Sequence, residues 1–262
     1  MDFIHGVVEG RGFEQLLDRL GALGGRGECA HMQKFAGHKL AEAILARLGP
    51  AHGSDVGGIE VYPHQLLAGA IEEASLLPFI PASFELASDQ VQVAVMRFDC
   101  QVPERRYYDA AVIALVRYKE VAGGFWPFTY NSTDQAMSGT CEIWGYNMKL
   151  AEMEISEGEA RFEGVTRRLG KAIISVAMSA AGETFETVDM FPRLFLKRTP
   201  DAENAEGVRQ TVIKMDTRPD VHRHVTGSGE VSFGSSADDP LHQLKITRVF
   251  GASFTTRHQV LP

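Results

Sequence analysis

Two side chains of this 262-residue chain combine chemical reach with a setting that could use it: Asp109, which precedes Ala110-Ala111-Val112-Ile113, and Lys149, within Glu142-Ile143-Trp144-Gly145-Tyr146-Asn147-Met148-Lys149-Leu150-Ala151. On an unbroken strand Lys149 shares one face with Ala151, Met153 and Ile155, while Met148, Leu150, Glu152 and Glu154 share the other. The apolar face is expected inside. A lysine held there loses hydration, which favours the neutral amine that can condense with a carbonyl. A bulge near Asn147 reverses the assignment, and an ion-paired or snorkelling surface lysine is the alternative reading of Lys149. Asp109, an acid at the entry of an apolar strand, suits general acid or base work.

Other residues can complete a small-molecule site. Glu142 falls at a helix end, where it serves either the site or the following turn. Trp144, Tyr146, Phe128 and Tyr130, with Phe125 and Trp126, can line an apolar pocket with a few polar tips, and most of them serve equally as core. Arg117 can hold a substrate carboxylate through two hydrogen bonds, or lie on a strand edge in solvent. Met148 is either a core-filling thioether or a pocket wall. His222 and His224 share a strand face without a further ligand, so no metal site is expected. Gly227-Ser228-Gly229 lacks the strand–turn–helix setting of a dinucleotide site and reads as a turn.

These residues need a scaffold, and the pattern of the chain indicates which one. Phe13–Leu23 and His38–Leu48 carry apolar residues at helical spacing, and the glycines and proline after Leu48 place a boundary near residue 57. Beyond it, apolar runs at Val91–Phe98, Ala110–Tyr118, Phe125–Tyr130, Lys149–Ile155, Ala172–Met178, Arg209–Met215 and Val231–Phe233 predict strands. Helices are expected at Leu66–Leu76 and from the N-cap residues Thr133-Asp134 to Gly145. Asp201–Gly207 reads as an exposed loop. The expectation is an α+β fold: a helical extension over 1–56 and a mostly antiparallel β barrel or sheet domain over 57–262.

Composition narrows the partners. With 26 Lys and Arg against 34 Asp and Glu, the net charge is −8, unsuited to a nucleic-acid surface. No run of about 18 apolar residues suggests a membrane span, and Met1–Gly6 has no signal-peptide character, so a cytoplasmic location is expected. Cys29, Cys100 and Cys141 are odd in number and far apart, which indicates free thiols rather than a disulfide framework.

Glu142-Ile143-Trp144-Gly145-Tyr146-Asn147-Met148-Lys149-Leu150 resembles the active-site segment of the acetoacetate decarboxylase superfamily, in which Glu-x-x-Gly-Tyr-Pro precedes two lysines and a leucine. The likeness extends through Tyr107–Ile113 with Val116-Arg117-Tyr118, Gly124–Tyr130, Thr133–Glu142 and the closing Asp239-Pro240-Leu241, Val249 and Val260-Leu261-Pro262, covering roughly residues 57–262. Acetoacetate decarboxylase is itself a known case of a lysine made nucleophilic by desolvation or a neighbouring cation, and that lysine forms an imine with the keto acid. Here its position is Met148, which has no nitrogen. Asp109 matches a family glutamate, Ala94 stands at a second, and Pro63 lies near the family's substrate-binding arginine. The resemblance implies a cofactor-independent, homo-oligomeric, lyase-type enzyme acting on a small keto acid or related carbonyl compound by decarboxylation, aldol cleavage or dehydration, with chemistry altered at Met148. Two alternatives stand beside it: an imine-independent isomerase, cyclase or hydratase using Asp109, and a ligand-binding relative without catalysis.

Overall fold

The computed structural model describes residues 59–99, 106–180, 185–200, 208–236 and 238–259. The helices expected before residue 57 and the loop at Asp201–Gly207 lie outside these residues, as do Cys29 and Cys100. Among the described residues twelve strands form a single sheet: β1 (Ile59–Ile71), β2 (Glu85–Asp99), β3 (Arg106–Tyr118), β4 (Val121–Asn131), β5 (Met148–Leu150), β6 (Glu152–Glu157), β7 (Arg161–Arg168), β8 (Lys171–Ala180), β9 (Arg193–Pro200), β10 (Val208–Met215), β11 (Asp220–Phe233) and β12 (Ile246–Gln259). Their order is β10-β9-β4-β3-β2-β1-β12-β11-β8-β7-β6, with β5 added to β4. Pairing is antiparallel except where β4 meets β5 and β9. The fold is α+β, and the sheet is not closed into a barrel.

The two α-helices among the described residues are short. α1 (Glu73–Leu76) is one turn, and α2 (Asp134–Trp144) joins β4 to β5. α2 begins and ends where the sequence places it: Gly145 takes φ 81° and donates its N–H to the carbonyls of Thr140 and Cys141, both at 3.1 Å. Any Cβ at Gly145 would lie 2.4 Å from the Cα of Lys197, so the turn is reserved for glycine by both backbone angle and space.

The helix expected over Leu66–Leu76 is a correction: Leu66–Ile71 closes β1, and only Glu73–Leu76 is helical. Leu67, Ala68, Ala70 and Ile71 are all buried, so this stretch is covered on both faces and shows no strand alternation to read. Gly69 lies where β12 passes closely, since an added Cβ would meet the Arg248 carbonyl oxygen at 2.6 Å. Gly227-Ser228-Gly229 is likewise no turn; it lies inside β11, where Gly227 pairs with both Ala252 and Ala180 as the strand changes partner. The run at Lys149–Ile155 divides into β5 and β6 around Ala151.

Apolar residues cover both faces at the centre of the sheet. One face buries Val93, Val95, Ala110, Val112, Phe128, Tyr130, Ala151 and Met153. The other buries Ala94, Met96, Ala111, Ile113, Trp126, Tyr146, Met148 and Phe195. From Asp109 to Ala114 every residue of β3 is buried, as a strand covered on both sides must be. Among the described residues, no helix is long and apolar enough to cross a membrane.

Candidate active site

The site is built on the Met148 face by the register of β2, β3 and β4. Asp109 stands opposite Met96 on one side and Asn131 on the other, next to the Ala94–Ala111–Thr129–Met148 row. Its side chain is 6% exposed, and the amide nitrogen of Asn131 donates to its Oδ1 at 2.5 Å. The orientation of that amide is determined by the next turn. Thr133 donates its backbone N–H (2.7 Å) and its hydroxyl (3.1 Å) to Asn131 Oδ1, which leaves only the NH2 group to face the acid. Thr133 therefore starts α2 without capping it by its side chain, because its hydroxyl is engaged by Asn131.

Burial pushes the Asp109 carboxyl up to about 7, against the opposing hydrogen bond from Asn131 and the charge of Arg193. A carboxyl poised there is populated in both protonation states near neutrality, as a general acid or base requires. Tyr146 is buried beside it, its ring meeting Trp126 edge-on at 5.1 Å and Phe195 at 4.1 Å. Burial raises its phenol to about 12, with Arg193 opposing and Asp109 reinforcing, so it remains a neutral donor. Met148 is 8% exposed, and its sulfur lies 3.0 Å from the Thr140 hydroxyl, which also reaches the carbonyls of Ala136 and Met137. Trp144, at the end of α2, is half-buried against the same cluster.

Two arginines complete this side. The Arg193 guanidinium lies 5.1 Å from the centres of both the Trp126 and Phe191 rings. Arg257 donates from Nε to Thr255 Oγ1 at 2.8 Å. Burial and the charge of Arg193 push Arg257 down to about 10, which leaves it cationic at neutral pH.

A cavity of about 390 Å³ opens beneath the 185–191 segment and is lined by Gln92, Met190, Phe191, His224, Ser253 and Arg257, among others. A cavity of about 470 Å³ is lined mainly by apolar residues that include Phe79, Trp126, Tyr146 and Phe195, with Arg198. Neither wall includes Asp109. The smaller cavity carries Arg257 in its wall and the larger carries Tyr146, and Arg257, Tyr146 and Asp109 all feel the charge of Arg193. Among the described residues no three His, Cys, Asp or Glu side chains could hold a metal ion.

The expected site residues divide. Asp109, Met148, Tyr146 and Trp144 gather on one face, whereas Lys149, Tyr130 and Phe128 belong to the other. Lys149 Nζ donates to Asp239 Oδ1 at 2.8 Å and to the Asp238 carbonyl at 2.6 Å. Asp239, fully buried, also accepts from Tyr130 (3.0 Å), Arg168 (2.8 Å) and Ser236. The alternation that grouped Lys149 with Ala151 and Met153 is correct, and Leu150, Glu152 and Glu154 on the other face are exposed; Met148, however, is buried on the Asp109 side, so a pocket shared by Lys149 and Asp109 is not formed. Phe128 packs on Phe79, with ring centres 4.7 Å apart. Arg117 is exposed at the opposite end of β3 from Asp109, and Glu142 is exposed on α2.

Asn131, Arg193 and Arg257 were missed in the sequence reading. For Asn131 a signal existed: an Asn two residues before a helix-initiating Thr, at the end of a strand, has the spacing of a side chain that bonds the following turn. The arginines carried none, because they reach the site only through the pairing of β9 and β12 with distant strands.

Comparison with known proteins agrees with this architecture. The family model described as acetoacetate decarboxylase (ADC) matches residues 70–261. An acetoacetate decarboxylase from Acidiphilium cryptum (strain JF-5) is 25% identical over 138 residues, which make up 53% of this chain and 55% of that protein. This chain thus matches about half the length of that relative. The crystal structure of acetoacetate decarboxylase from Legionella pneumophila subsp. pneumophila str. Philadelphia 1 superposes with a TM-score of 0.68 at 21% identity, covering 79% of this chain and 86% of that one. An acetoacetate decarboxylase-like enzyme from Sphingomonas wittichii RW1 gives 0.65 at 13% identity, with coverage of 80% and 96%. The enduracididine biosynthesis enzyme MppR, complexed with the condensation product of pyruvate and imidazole 4-carboxaldehyde, gives 0.65 at 12%, with coverage of 80% and 88%. With the matched model spanning most of its length, the chain belongs to the acetoacetate decarboxylase family.

Proposed function

We propose that this protein is an acetoacetate decarboxylase-like enzyme that acts on a small keto acid or related carbonyl compound without forming an imine, with Asp109 as its proton-transfer group. The observation that carries the reading is the pairing of a buried, near-neutral carboxyl, oriented by Asn131, with a thioether at the position of the family's amine. In the ionised form Asp109 removes a proton from the carbon next to the carbonyl and leaves an enolate; in the protonated form it returns that proton. Delivered to a different carbon, the proton completes an isomerisation; delivered to a departing hydroxyl, it releases water. Tyr146, kept neutral, is suited to donate to the developing oxyanion. Lys149 supports the imine route less well, because its ammonium is engaged by Asp239 on the opposite face. A cytoplasmic homo-oligomer remains the expected setting.

The test uses two measurements on the same protein. Exchange of the methyl hydrogens of pyruvate and other small keto acids in D2O, followed by NMR, reports proton transfer; borohydride with the same acids reports imine formation. Exchange that falls by about 10²–10⁴ in Asp109→Asn, with no borohydride adduct, is expected. An adduct on a lysine returns the imine mechanism, and neither exchange nor adduct makes the chain a binding relative.

A further inference from the structure

The 390 Å³ cavity has a charge arrangement that its own walls do not balance. Arg257 lies in the wall, and Arg193 meets the ring of Phe191, another wall residue, at 5.1 Å. Neither guanidinium forms an ion pair with a carboxylate among the described residues. Asp189, the acid in the wall, is occupied elsewhere: it accepts from Arg218 at 2.8 Å and from the Phe191 backbone N–H at 3.0 Å. Asp109, the other acid near Arg193, feels its charge but forms no ion pair with it. Two cations beside a concave space, neither ion-paired with a carboxylate among the described residues, attract an anion from solution.

We propose that Arg193 and Arg257 form an anion-binding pair that takes the carboxylate of a small organic acid at the head of this cavity. The remaining wall suits the rest of such a molecule. Met190 and Phe191 supply apolar surface, and Gln92, Thr226 and Ser253 supply hydrogen-bonding groups. The electrostatics agree: the charge of Arg193 raises the cost of charging Arg257, a repulsion that a bound carboxylate relieves. The position also explains how recognition connects to chemistry, since the Arg193 charge acts on Asp109 and on Tyr146 as well. The identification of the bound acid as the substrate rests on the proton-transfer reading above; the anion site itself does not.

Calorimetric titration with pyruvate, acetoacetate, malonate and succinate, and with the methyl esters of the same acids, separates the two. At least one acid is expected to bind with a Kd of about 1 mM or tighter, and its ester at least about tenfold more weakly. Arg257→Gln and Arg193→Gln each lose about tenfold or more, and Arg257→Lys retains part of the affinity because the charge is kept. Asp109→Asn, which abolishes proton transfer under the reading above, leaves the binding in place. Unaltered affinity in both glutamine variants overturns the pair, as does equal binding of acid and ester by the natural chain, a comparison that needs no variant to fold. Binding of no acid in the panel also overturns it. Loss of carboxylate affinity in the arginine variants without any exchange by the natural chain would retain the anion site and reject the reaction.

Discussion

Met148 and Lys149 are consecutive residues that serve opposite faces of one sheet: the Met148 sulfur sits 3.0 Å from the Thr140 hydroxyl beside Tyr146, and the Lys149 ammonium sits 2.8 Å from the buried carboxylate of Asp239. A one-residue step along a strand reverses the face. The amine that remains in this segment is thereby removed from the Asp109 side by geometry alone.

Lys149 should then behave as a structural cation. Burial tends to raise the Asp239 carboxyl, but hydrogen bonds from Lys149, Ser236 and Tyr130 and the charge of Lys149 outweigh it and hold the group below the usual carboxylate range. Its contribution to stability is therefore present above about pH 4 and is lost as pH falls through the lowered native value. Lys149→Met is expected to cost about 1–3 kcal/mol at pH 7 by chemical denaturation and to leave proton exchange within about twofold of the natural rate. Lost exchange with unchanged stability would return Lys149 to the catalytic role.

Asp109 pulls in the opposite direction. Its native carboxyl titrates at about 7, so the protein binds more protons folded than unfolded between about pH 4 and 7. The stability contributed by this group is complete below about pH 4, falls by about 1.4 kcal/mol per pH unit, and levels off once the native group has ionised. Asp109→Asn removes that slope. The variant is expected to match the natural protein near pH 4 and to exceed it by roughly 2–4 kcal/mol at pH 8, while losing proton exchange. Parallel stability–pH curves for the two proteins would place the Asp109 ionisation elsewhere.

What was legible in the sequence follows from which signals are local. The start of α2 at Thr133-Asp134 and its end at Gly145 depend on contacts with their own neighbours in sequence, and they are found where expected, although the Thr133 hydroxyl bonds Asn131 and does not cap the helix. The central strands read correctly because β-branched and small apolar residues run through them. Faces were harder. The argument that one side of β5 is interior and the other exposed fails at Met148, which is buried although Leu150 on the same side is exposed, and Leu66–Ile71 reads as helix because continuous burial erases alternation. Asp109 could be identified from its misfit with the strand it enters. Arg193 and Arg257 lie on β9 and β12, in ordinary surroundings and with four strands between them in the sheet, and nothing local in the sequence indicates that their charges act on each other.

Asn131 offers a test of positioning separate from stability. It is fully buried, and its hydrogen bond lowers the Asp109 value against the larger effect of burial. Asn131→Leu removes that donor and should move the pH limb of proton exchange upward by about one pH unit or more, with a lowered melting temperature because the Thr133 N–H also loses its acceptor. Thr133→Val leaves the backbone donor in place and is expected to shift the limb by less. A melting temperature that falls while the limb stays near 7 would make Asn131 a fold residue only.

The remaining prediction concerns Met148, the residue that the sequence resemblance matches to the family's lysine. Met148→Lys places an amine of similar length at a buried site lined by Tyr146 and Trp126. Desolvation there lowers a lysine from about 10.4 by as much as ~3–5 units, enough for an appreciable neutral fraction at pH 7, although Asp109, where ionised, works against it. Borohydride with acetoacetate is expected to leave a covalent adduct on Lys at position 148 by peptide mass spectrometry, and none in the natural chain. Carbon dioxide release need not follow, since Ala94, in the same buried cluster, supplies no acid. Absence of the adduct, with the variant folded by circular dichroism, would show that the Met148 position is closed to a carbonyl substrate, and would require the proposed pocket to be sought elsewhere on this face.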